Sequence, residues 1–319
     1  MGIRVLSNTD VERLLPMAEC IDVMAEALAS LARGEMHNPL RSLVRPERGD
    51  GFMGLMPAHR AGDDAAFGLK VVCIFPGNPA RGLDAHQGAV LVFDGGTGQV
   101  RGILDASAVT AIRTAAVSGV ATRLLAREDA RTLAILGAGV QARTHLEAMR
   151  CVLPGLERVT VWSRTPEHAA ALGVDVAATA EEALRDADIV CTTTSAREPI
   201  VQRAWLKPGA HVNAVGSSIR TTRELDTETM AAAALFVDRR ESTLNESGDY
   251  LLAAGEGAIG PEHIRAELGE LLTGTGEGRR SQEELTVFKS LGLAVEDLAA
   301  AEHVLHRAEA EDAGAEVDF

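Results

Sequence analysis

The chain lacks the features that mark membrane-spanning and exported proteins. It has no uninterrupted apolar run of about 18 residues and no basic leader followed by an apolar core. The alanine-rich stretch 106–126 comes closest, but Arg113 and Arg123 interrupt it. We therefore expect a soluble, cytoplasmic protein with no membrane partner.

Paired cysteines and metal-binding spacings are missing as well. Cys20, Cys73, Cys151 and Cys191 lie singly in apolar runs, which favours buried and reduced thiols. There is no His-Glu-x-x-His, no Cys/His quartet and no suitable pair of carboxylates, so we predict no metal site. A Gly-x-Ser-x-Gly elbow and a P-loop are also absent, which argues against hydrolases and kinases.

Positive charge is scarce. The 31 lysines and arginines are outnumbered by 46 acidic residues, and the net charge of −15 argues against a nucleic-acid partner. Any anionic ligand must then be bound by local cations. Only Lys70, Lys207 and Lys289 are lysines, so the position of each one is informative.

What the sequence does contain fits two domains, since 319 residues suffice for two hydrophobic cores. In the first hundred residues an amphipathic helix at 16–32 precedes strand-length runs at 40–44, 52–56, 67–74, 88–93 and 99–104. The sequence Asp-Gly-Gly-Thr-Gly at 94–98 predicts a hairpin between the last two runs. This part predicts an α+β domain with a mainly antiparallel sheet.

Strands and helices alternate in the next part of the chain. A helical pattern at 109–126 is followed by predicted strands at 132–136, 159–162, 189–193, 211–215 and 234–237. Helices are predicted between them at 166–172 and 179–185, the second with a capping box of Thr179 and Glu182. This alternation predicts an α/β, Rossmann-type, doubly wound parallel sheet with helices on both faces.

The last quarter of the chain combines a glycine-rich stretch with a second helical pattern. The eight glycines in 245–278 predict a long, irregular connection around a short helix at 262–272. A capping box of Ser281 and Glu284 predicts a helical region that runs past Leu305 with a break near Gly292. The acidic tail 309–319 is predicted to fray.

The stretch 132–142 predicts a dinucleotide site. Four apolar residues lead into Gly137, Ala138 and Gly139, and a helical pattern begins at Val140. Gly137 would allow a tight turn, Gly139 would let backbone N–H groups approach a pyrophosphate, and the helix N-terminus would favour that anion. Cofactor contacts are predicted for Gly137, Ala138, Gly139, Val140, Gln141, Thr194, Ser195 and Val215.

The end of the second predicted strand bears on the choice of cofactor. NAD enzymes place Asp or Glu there to bind the ribose 2′-hydroxyl, whereas this chain has Ser163, Arg164 and Thr165. Two hydroxyls beside a guanidinium suit a 2′-phosphate, which favours NADP(H) over NAD(H). The alternative is that Arg164 is only a solvated loop residue.

Four residues of the first domain are candidates for chemistry. Lys70 lies inside an apolar strand, where it must either turn outward or meet an anion. Arg113 lies among small residues of a helix, and the alternative for it is an ordinary exposed arginine. Arg41 is the third candidate cation, and His86, between Asp84 and a strand, is either an acid or base or a loop histidine.

With these residues in hand, the sequence resembles the ornithine cyclodeaminase/μ-crystallin family over nearly its whole length. The resemblance rests on Arg41, the run Leu55-Met56-Pro57, Lys70, Arg113 to Ala116, Gly137 to Ala142, Lys207 to Gly216, Arg223 to Asp226, and Thr286 to Gly292.

The resemblance implies a homodimer with two domains. Residues 1–114 would bind substrate and form the dimer contact, with a returning C-terminal helix at 294–319, and residues 115–293 would form the Rossmann domain. It also implies that Arg41, Lys70 and Arg113 bind the substrate carboxylate and the reacting nitrogen, with His86 nearby.

The sequence departs from the cyclodeaminase pattern at two positions. Cyclodeaminases carry a catalytic aspartate where this chain has Ser218, and a glutamate before Leu-Met-Pro where it has Gly54. The segment containing Glu246 matches a segment of μ-crystallin whose glutamate lines the ligand pocket, so Glu246, Lys70 and a bound water are the candidate proton donors.

These observations predict an NADPH-dependent reductase of small imino acids such as the cyclic ketimine pyrroline-2-carboxylate. Lys70, Arg113 and Glu246 would be catalytic, and Arg41, His86 and Ser218 would help to bind substrate. The alternatives are an ornithine cyclodeaminase that releases ammonia, an amino-acid dehydrogenase, and a non-catalytic NADP-dependent ligand-binding protein.

Overall fold

The computed structural model describes residues 2–318. In chain order its strands are β1 (Gly2–Leu6), β2 (Met36–His37), β3 (Ser42–Val44), β4 (Phe52–Arg60), β5 (Ala66–Ile74), β6 (His86–Asp94), β7 (Val100–Asp105), β8 (Thr132–Leu136), β9 (Arg158–Trp162), β10 (Asp175–Val176), β11 (Ile189–Thr192), β12 (His211–Ala214), β13 (Ala234–Val237), β14 (Ile264–Glu267), β15 (Thr286–Lys289) and β16 (Ala315–Asp318).

Its α-helices are α1 (Asn8–Leu14), α2 (Met17–Ala32), α3 (Ala106–Leu125), α4 (Val140–Val152), α5 (Pro166–Ala170), α6 (Ala180–Leu184), α7 (Thr227–Ala232), α8 (Arg240–Glu246), α9 (Gly248–Gly255), α10 (Leu268–Leu272) and α11 (Ala294–Glu311). None of them, within residues 2–318, is long and apolar enough to cross a membrane.

The chain divides into two compact units. Unit 1 consists of residues 1–113 and 293–319, and unit 2 of residues 114–292. Unit 1 is therefore built from two separate stretches of chain, with all of unit 2 inserted between them.

Unit 1 contains one eight-stranded sheet in the order β16-β1-β7-β6-β5-β4-β2, with β3 also paired to β4. Strands β4 to β7 form antiparallel pairs, and the hairpin predicted at 94–98 joins β6 to β7. On β5 the residues alternate between a buried face and a more exposed face. The buried face packs on α11, where a Cβ added to Gly68 would lie 3.0 Å from Leu298.

Unit 2 contains one parallel sheet in the order β10-β9-β8-β11-β12-β15-β13-β14. From β10 to β12 the strands follow the order 3-2-1-4-5 of a dinucleotide-binding fold. The α/β fold with a Rossmann-type parallel sheet is thus confirmed. The carboxyl ends of β8, β11 and β12 meet at one edge of this sheet, which is where such folds bind their ligands.

Three assignments in the last quarter of the chain are wrong. Residues 245–278 contain helix α9 and edge strand β14, and the predicted helical start at Ser281 is replaced by strand β15. Glu284 does not cap a helix because its carboxylate pairs with Arg265 at 2.8 Å. The predicted frayed tail forms β16, which pairs antiparallel with β1, while Phe319 lies outside the described residues.

The burial predicted for the cysteines is correct for only two of them. Cys20 and Cys191 are buried, Cys73 is half-buried and Cys151 is exposed, and all four are free thiols. Cys151 lies near the end of α4 on a helix with one polar face, so an apolar sequence neighbourhood did not ensure burial.

Candidate functional site

The turn after β8 has the geometry that its glycines suggested. Gly137 has φ +117°, a conformation that other residues rarely adopt, and a Cβ there would lie 2.8 Å from the Thr193 carbonyl oxygen. Only glycine therefore fits at position 137. Ala142, in the first turns of α4, is fully buried, as expected for a residue that packs the helix on the sheet.

The N-terminus of α4 has room for an anion. Gly139 is the N-cap residue and no side chain caps the helix there. A Cβ at Gly139 would meet nothing within 4 Å, and Val140 next to it is 52% exposed. Backbone N–H groups of a first helical turn that no side chain satisfies bind phosphate well, so these residues fit a pyrophosphate.

Three residues follow directly after β9, the strand next to β8 in the sheet. Ser163 is half-buried, Arg164 and Thr165 are exposed, and the Thr165 N–H donates to Ser163 Oγ at 3.3 Å. None of the three carries a carboxylate. The exposure of Arg164 fits both a phosphate contact and a solvated loop residue, so its role stays a prediction.

A buried carboxylate joins the loops that follow β11 and β12. Glu224 accepts hydrogen bonds from the hydroxyls of Thr192 at 2.6 Å and Thr194 at 2.7 Å. It also accepts from the backbone N–H groups of Thr194 at 2.7 Å and Gly216 at 2.8 Å. Burial raises the pKa of Glu224, while the nearby Lys289 ammonium opposes that rise. Thr194, a predicted cofactor contact, thus uses its hydroxyl within the protein, and Val215 and Ser195 lie on the same two loops.

A buried ion pair between Asp249 and Lys289 contacts the backbone of Glu224. Asp249 accepts from the N–H groups of Glu224 at 2.8 Å and Leu225 at 3.0 Å, and its other oxygen lies 3.0 Å from Lys289 Nζ. Both side chains are completely buried. Neither Asp249 nor Lys289 had a predicted role. A lysine at the end of the apolar run Thr286–Lys289 was the available signal, because such a lysine requires a buried anion.

In unit 1, Lys70 lies in the middle of β5 on its buried face. Its neighbours across the sheet are Met56 and Val90, and its side chain is 3% exposed. Its Nζ lies 2.7 Å from Asp297 Oδ2 and 3.4 Å from the Thr110 hydroxyl. The alternative of an exposed strand-face lysine is therefore wrong.

Arg113 meets the same carboxylate. Its Nε donates to Asp297 Oδ1 at 2.8 Å and its NH1 donates to Glu296 Oε2 at 2.7 Å, and its side chain is 4% exposed. The alternative of an ordinary exposed arginine is also wrong. Because one aspartate bridges Lys70 and Arg113, two cations far apart in the sequence lie side by side in the fold.

Arg41 and His86 belong to the same neighbourhood. The positive charges of Arg113 and Arg41 both act on Lys70. The pKa of the His86 imidazole is lowered, mainly by loss of solvation and secondly by the positive charge of Lys70. The residue nevertheless keeps an exposed surface. In addition, Asn38 accepts from the Val295 N–H at 3.2 Å, which ties the segment leading to Arg41 to the first turn of α11.

These surroundings lower the pKa of the Lys70 ammonium. Burial lowers its pKa from 10.5 to about 8, with Asp297 opposing that decrease and Arg113 adding to it. An ammonium with a pKa near neutrality is protonated at physiological pH and still gives up its proton readily. The Lys70 cluster, defined here as Arg41, Lys70, Arg113, Glu296 and Asp297, can therefore both hold an anion and donate a proton.

Comparison with known proteins identifies the family. The model of the ornithine cyclodeaminase/mu-crystallin family matches residues 3–312. The chain belongs to this family.

Its relatives include enzymes that act on imino and amino acids. The mouse protein ketimine reductase mu-crystallin (Mus musculus) is 42% identical over 293 residues, which cover 89% of this chain and 90% of the mouse protein. The structure of Thermococcus litoralis Δ1-pyrroline-2-carboxylate reductase in complex with NADH and L-proline is 38% identical, with a TM-score of 0.94, covering 99% of this chain and 100% of that one. An archaeal alanine dehydrogenase dimer with bound NAD is 33% identical, with a TM-score of 0.94 and full coverage of both chains.

Two positions distinguish this member of the ornithine cyclodeaminase/mu-crystallin family from the cyclodeaminase pattern. Gly54 pairs with Val72 on the same face of the sheet as Lys70. A Cβ at position 54 would make an ordinary contact of 3.5 Å with Val72, so packing does not exclude a larger residue there. Ser218 is exposed in the loop after β12. Neither position supplies a carboxylate.

Glu246 ends helix α8 and is half-buried, directly before Ser247, which caps α9 by accepting from the Tyr250 N–H. Both Glu246 and Ser218 belong to unit 2. Their parts in substrate binding and proton donation stay predictions. In residues 2–318 no group of three or more His, Cys, Asp or Glu side chains is arranged to hold a metal ion.

Proposed function

We propose that this protein is an NAD(P)H-dependent reductase of small cyclic imino acids, with pyrroline-2-carboxylate as the model substrate. The observation that carries the proposal is the shared contact of Lys70 and Arg113 with Asp297, which places an ammonium that readily loses its proton beside a fixed guanidinium. That pairing suits a molecule whose carboxylate is attached directly to the carbon of a C=N bond.

The reaction needs groups that bind the substrate carboxylate and a group that donates a proton. Arg41 and Arg113 bind the carboxylate, and Lys70 donates its proton to the imine nitrogen as the carbon becomes tetrahedral. A nicotinamide cofactor bound by the turn at Gly137 and Gly139 would supply the hydride. Lys70 is left as a neutral amine and takes a new proton from water. No nucleophile is needed, since the imine already has the oxidation level of a carbonyl.

The relatives support this assignment. The mouse relative is named a ketimine reductase, and the Thermococcus litoralis relative is a pyrroline-2-carboxylate reductase whose structure holds NADH and L-proline. L-proline is the product expected from reduction of pyrroline-2-carboxylate at its C=N bond.

A direct assay tests the proposal. Purified protein with NADPH or NADH and pyrroline-2-carboxylate should oxidise the cofactor and form an equal amount of proline. The same protein with ornithine should release no ammonia. Ammonia release without net cofactor consumption would instead establish a cyclodeaminase, and cofactor binding without any turnover would establish a ligand-binding protein. The absence of carboxylates at positions 54 and 218 counts against the cyclodeaminase.

We also propose that NADPH is preferred to NADH. The relatives' structures hold NADH and NAD, so the preference rests on Ser163, Arg164 and Thr165 of this chain. Arg164→Ala should raise the KM for NADPH by about 10- to 100-fold, because a hydrogen bond to a charged group contributes about 1.5–3 kcal/mol. The KM for NADH should change by less than about threefold.

Arg158→Ala is the matched control for this prediction. Arg158 begins the same strand, β9, and its side chain is 49% exposed, but it lies at the opposite end of the strand from Arg164. Its replacement should leave both KM values unchanged. If Arg164→Ala affects NADPH and NADH equally, the 2′-phosphate contact is wrong.

Unit 1 is the proposed substrate-binding and dimerisation domain. On its sheet, the face away from Lys70 is half-buried or exposed and yet apolar, with Leu69, Leu91 and Ile103 side by side and Phe67 47% exposed. An antiparallel sheet that faces water normally presents polar residues there. A second copy of the chain is the proposed cover, in keeping with the alanine dehydrogenase relative, whose structure is a dimer.

A charged side chain introduced on that face should prevent the two copies from associating. The wild-type protein should have the mass of a dimer in analytical ultracentrifugation, and Leu91→Arg should have the mass of a monomer, because an interface core does not accept an unpaired charge. Val317→Arg, at an exposed apolar residue of β16, should stay dimeric. A dimeric Leu91→Arg variant would contradict this interface.

Cytoplasmic location also stays a proposal.

A further inference from the structure

The first turn of α11 brings two acidic side chains into the interior of unit 1. Glu296 is fully buried and Asp297 is 1% exposed. Burying two carboxylates without partners would cost much free energy, so the groups that pair with them indicate what they do. Those partners include Arg113 for both of them and Lys70 for Asp297.

We propose that Asp297 is a positioning residue for the proton donor, holding Lys70 in its ammonium form beside Arg113, whereas Glu296 acts mainly on Arg113. The inference rests on the proposed function for the destination of the proton. The link between Asp297 and Lys70 can be measured without any substrate.

The double contact of Asp297 explains how Lys70 can release a proton inside the protein. In an isolated buried Lys–Asp pair, loss of the lysine proton would strand an unpaired carboxylate, which costs several kcal/mol. Here Asp297 Oδ1 keeps its 2.8 Å contact with Arg113 Nε when Oδ2 loses its charged partner. Arg113 therefore makes the neutral state of Lys70 accessible, and Asp297 keeps that state from dominating at neutral pH.

The other ionisable and polar groups around the pair leave Asp297 as the main stabiliser of the ammonium. From α3 come Arg113 and Thr110, from β6 comes His86, and Arg41 precedes β3. Arg113 and Arg41 act against the charge of Lys70, and Asp297 favours it.

The remaining neighbours are a thiol and a carboxylate. Cys20 of α2 stays a neutral thiol, because burial raises its pKa far above the usual range. Glu296 Oε2 accepts from Arg113 NH1 at 2.7 Å and from the Leu293 N–H at 3.1 Å. Glu296→Gln therefore removes a neighbouring carboxylate of the same cluster and is the matched control for Asp297→Asn.

The scarcity of lysine makes the test direct. With lysine as the only labelled amino acid, the side-chain NMR spectrum contains signals from Lys70, Lys207 and Lys289, and the Lys70 signal is the one that disappears in Lys70→Met. In the wild-type protein the Lys70 signal should titrate near pH 8. In Asp297→Asn its midpoint should be about one to three pH units lower, as expected when an adjacent opposite charge is removed.

Further variants separate an electrostatic role from a merely structural one. Glu296→Gln should move the midpoint by much less than Asp297→Asn, and Asp297→Glu should restore it toward the wild-type value. Arg113→Gln should raise it, which provides a test of opposite sign if Asp297→Asn does not fold. A Lys70 midpoint unchanged by Asp297→Asn, equal shifts for the two neutralised carboxylates, or an unchanged or lowered midpoint in Arg113→Gln would overturn the proposal.

Kinetics connect the titration to the reaction. If Lys70 is the donor, kcat/KM for imine reduction falls at high pH as Lys70 loses its proton, and Asp297→Asn should move that fall to lower pH by the same amount as the NMR midpoint. If the wild-type protein reduces no imine, the proposed function fails, while the NMR result still decides whether Asp297 controls Lys70.

Discussion

Replacing Lys70 by methionine is expected to lower kcat/KM for imine reduction by about a thousand-fold, within the range that general acid catalysis contributes. Methionine is similar in length and has no proton to donate. The fold should survive the substitution, because Asp297 keeps its ion pair with Arg113. The measurement is steady-state cofactor oxidation, together with a thermal melt to confirm folding.

Lys207→Met is an unusually close control for this substitution. Lys207 Nζ lies 2.7 Å from Asp188, and that aspartate also pairs with Arg127 at 2.8 Å. Both lysines thus share an aspartate with an arginine, but Lys207 belongs to unit 2 and pairs at the start of β11, away from the carboxyl ends of the strands. Its loss should leave kcat/KM within about twofold. Full activity in Lys70→Met would remove Lys70 from the mechanism.

The second large effect is on stability. Lys289→Met should lower the free energy of unfolding of unit 2 by about 3–5 kcal/mol, because it leaves the fully buried Asp249 carboxylate without its cation. Trp162 and Trp205, the two tryptophans of the chain, both belong to unit 2. Tryptophan fluorescence during chemical denaturation therefore reports on the unit that is affected.

A second substitution should recover part of that loss. Asn at position 249 keeps an oxygen for the N–H groups of Glu224 and Leu225 but carries no charge. The double variant Lys289→Met with Asp249→Asn should therefore be more stable than Lys289→Met alone. If the double variant is no more stable than Lys289→Met, the loss of unfolding free energy arises from packing around position 289 and not from the unpaired carboxylate.

The sequence was most informative where a local rule determines the structure. Gly137 could be assigned because a positive φ needs glycine, and Lys70 could be singled out because a lysine in an apolar strand must either turn outward or meet an anion. The identity of that anion could not be predicted. Asp297 lies on a helix of the second stretch of unit 1, and an ion pair between distant segments leaves no periodic pattern in either one.

The misassigned strand β15 shows a different limit. Its residues Thr286–Lys289 form a short apolar run next to a capping-box pattern, and such runs are ambiguous between helix and strand. The sheet decides the outcome, because β15 fills the gap between β12 and β13. The carboxylate of Glu284, which was predicted to cap a helix, accepts a hydrogen bond from Arg265 instead. Tertiary partners therefore overrode a local signal that was itself reasonable.

The division of unit 1 into two stretches of chain has a consequence for biosynthesis. Residues 293–319 leave the ribosome only after all of unit 2 has been made. Until then Lys70 and Arg113 have been translated without the acidic side chains that neutralise them. Unit 1 therefore cannot mature during translation of its own first hundred residues, and its assembly depends on the final segment arriving.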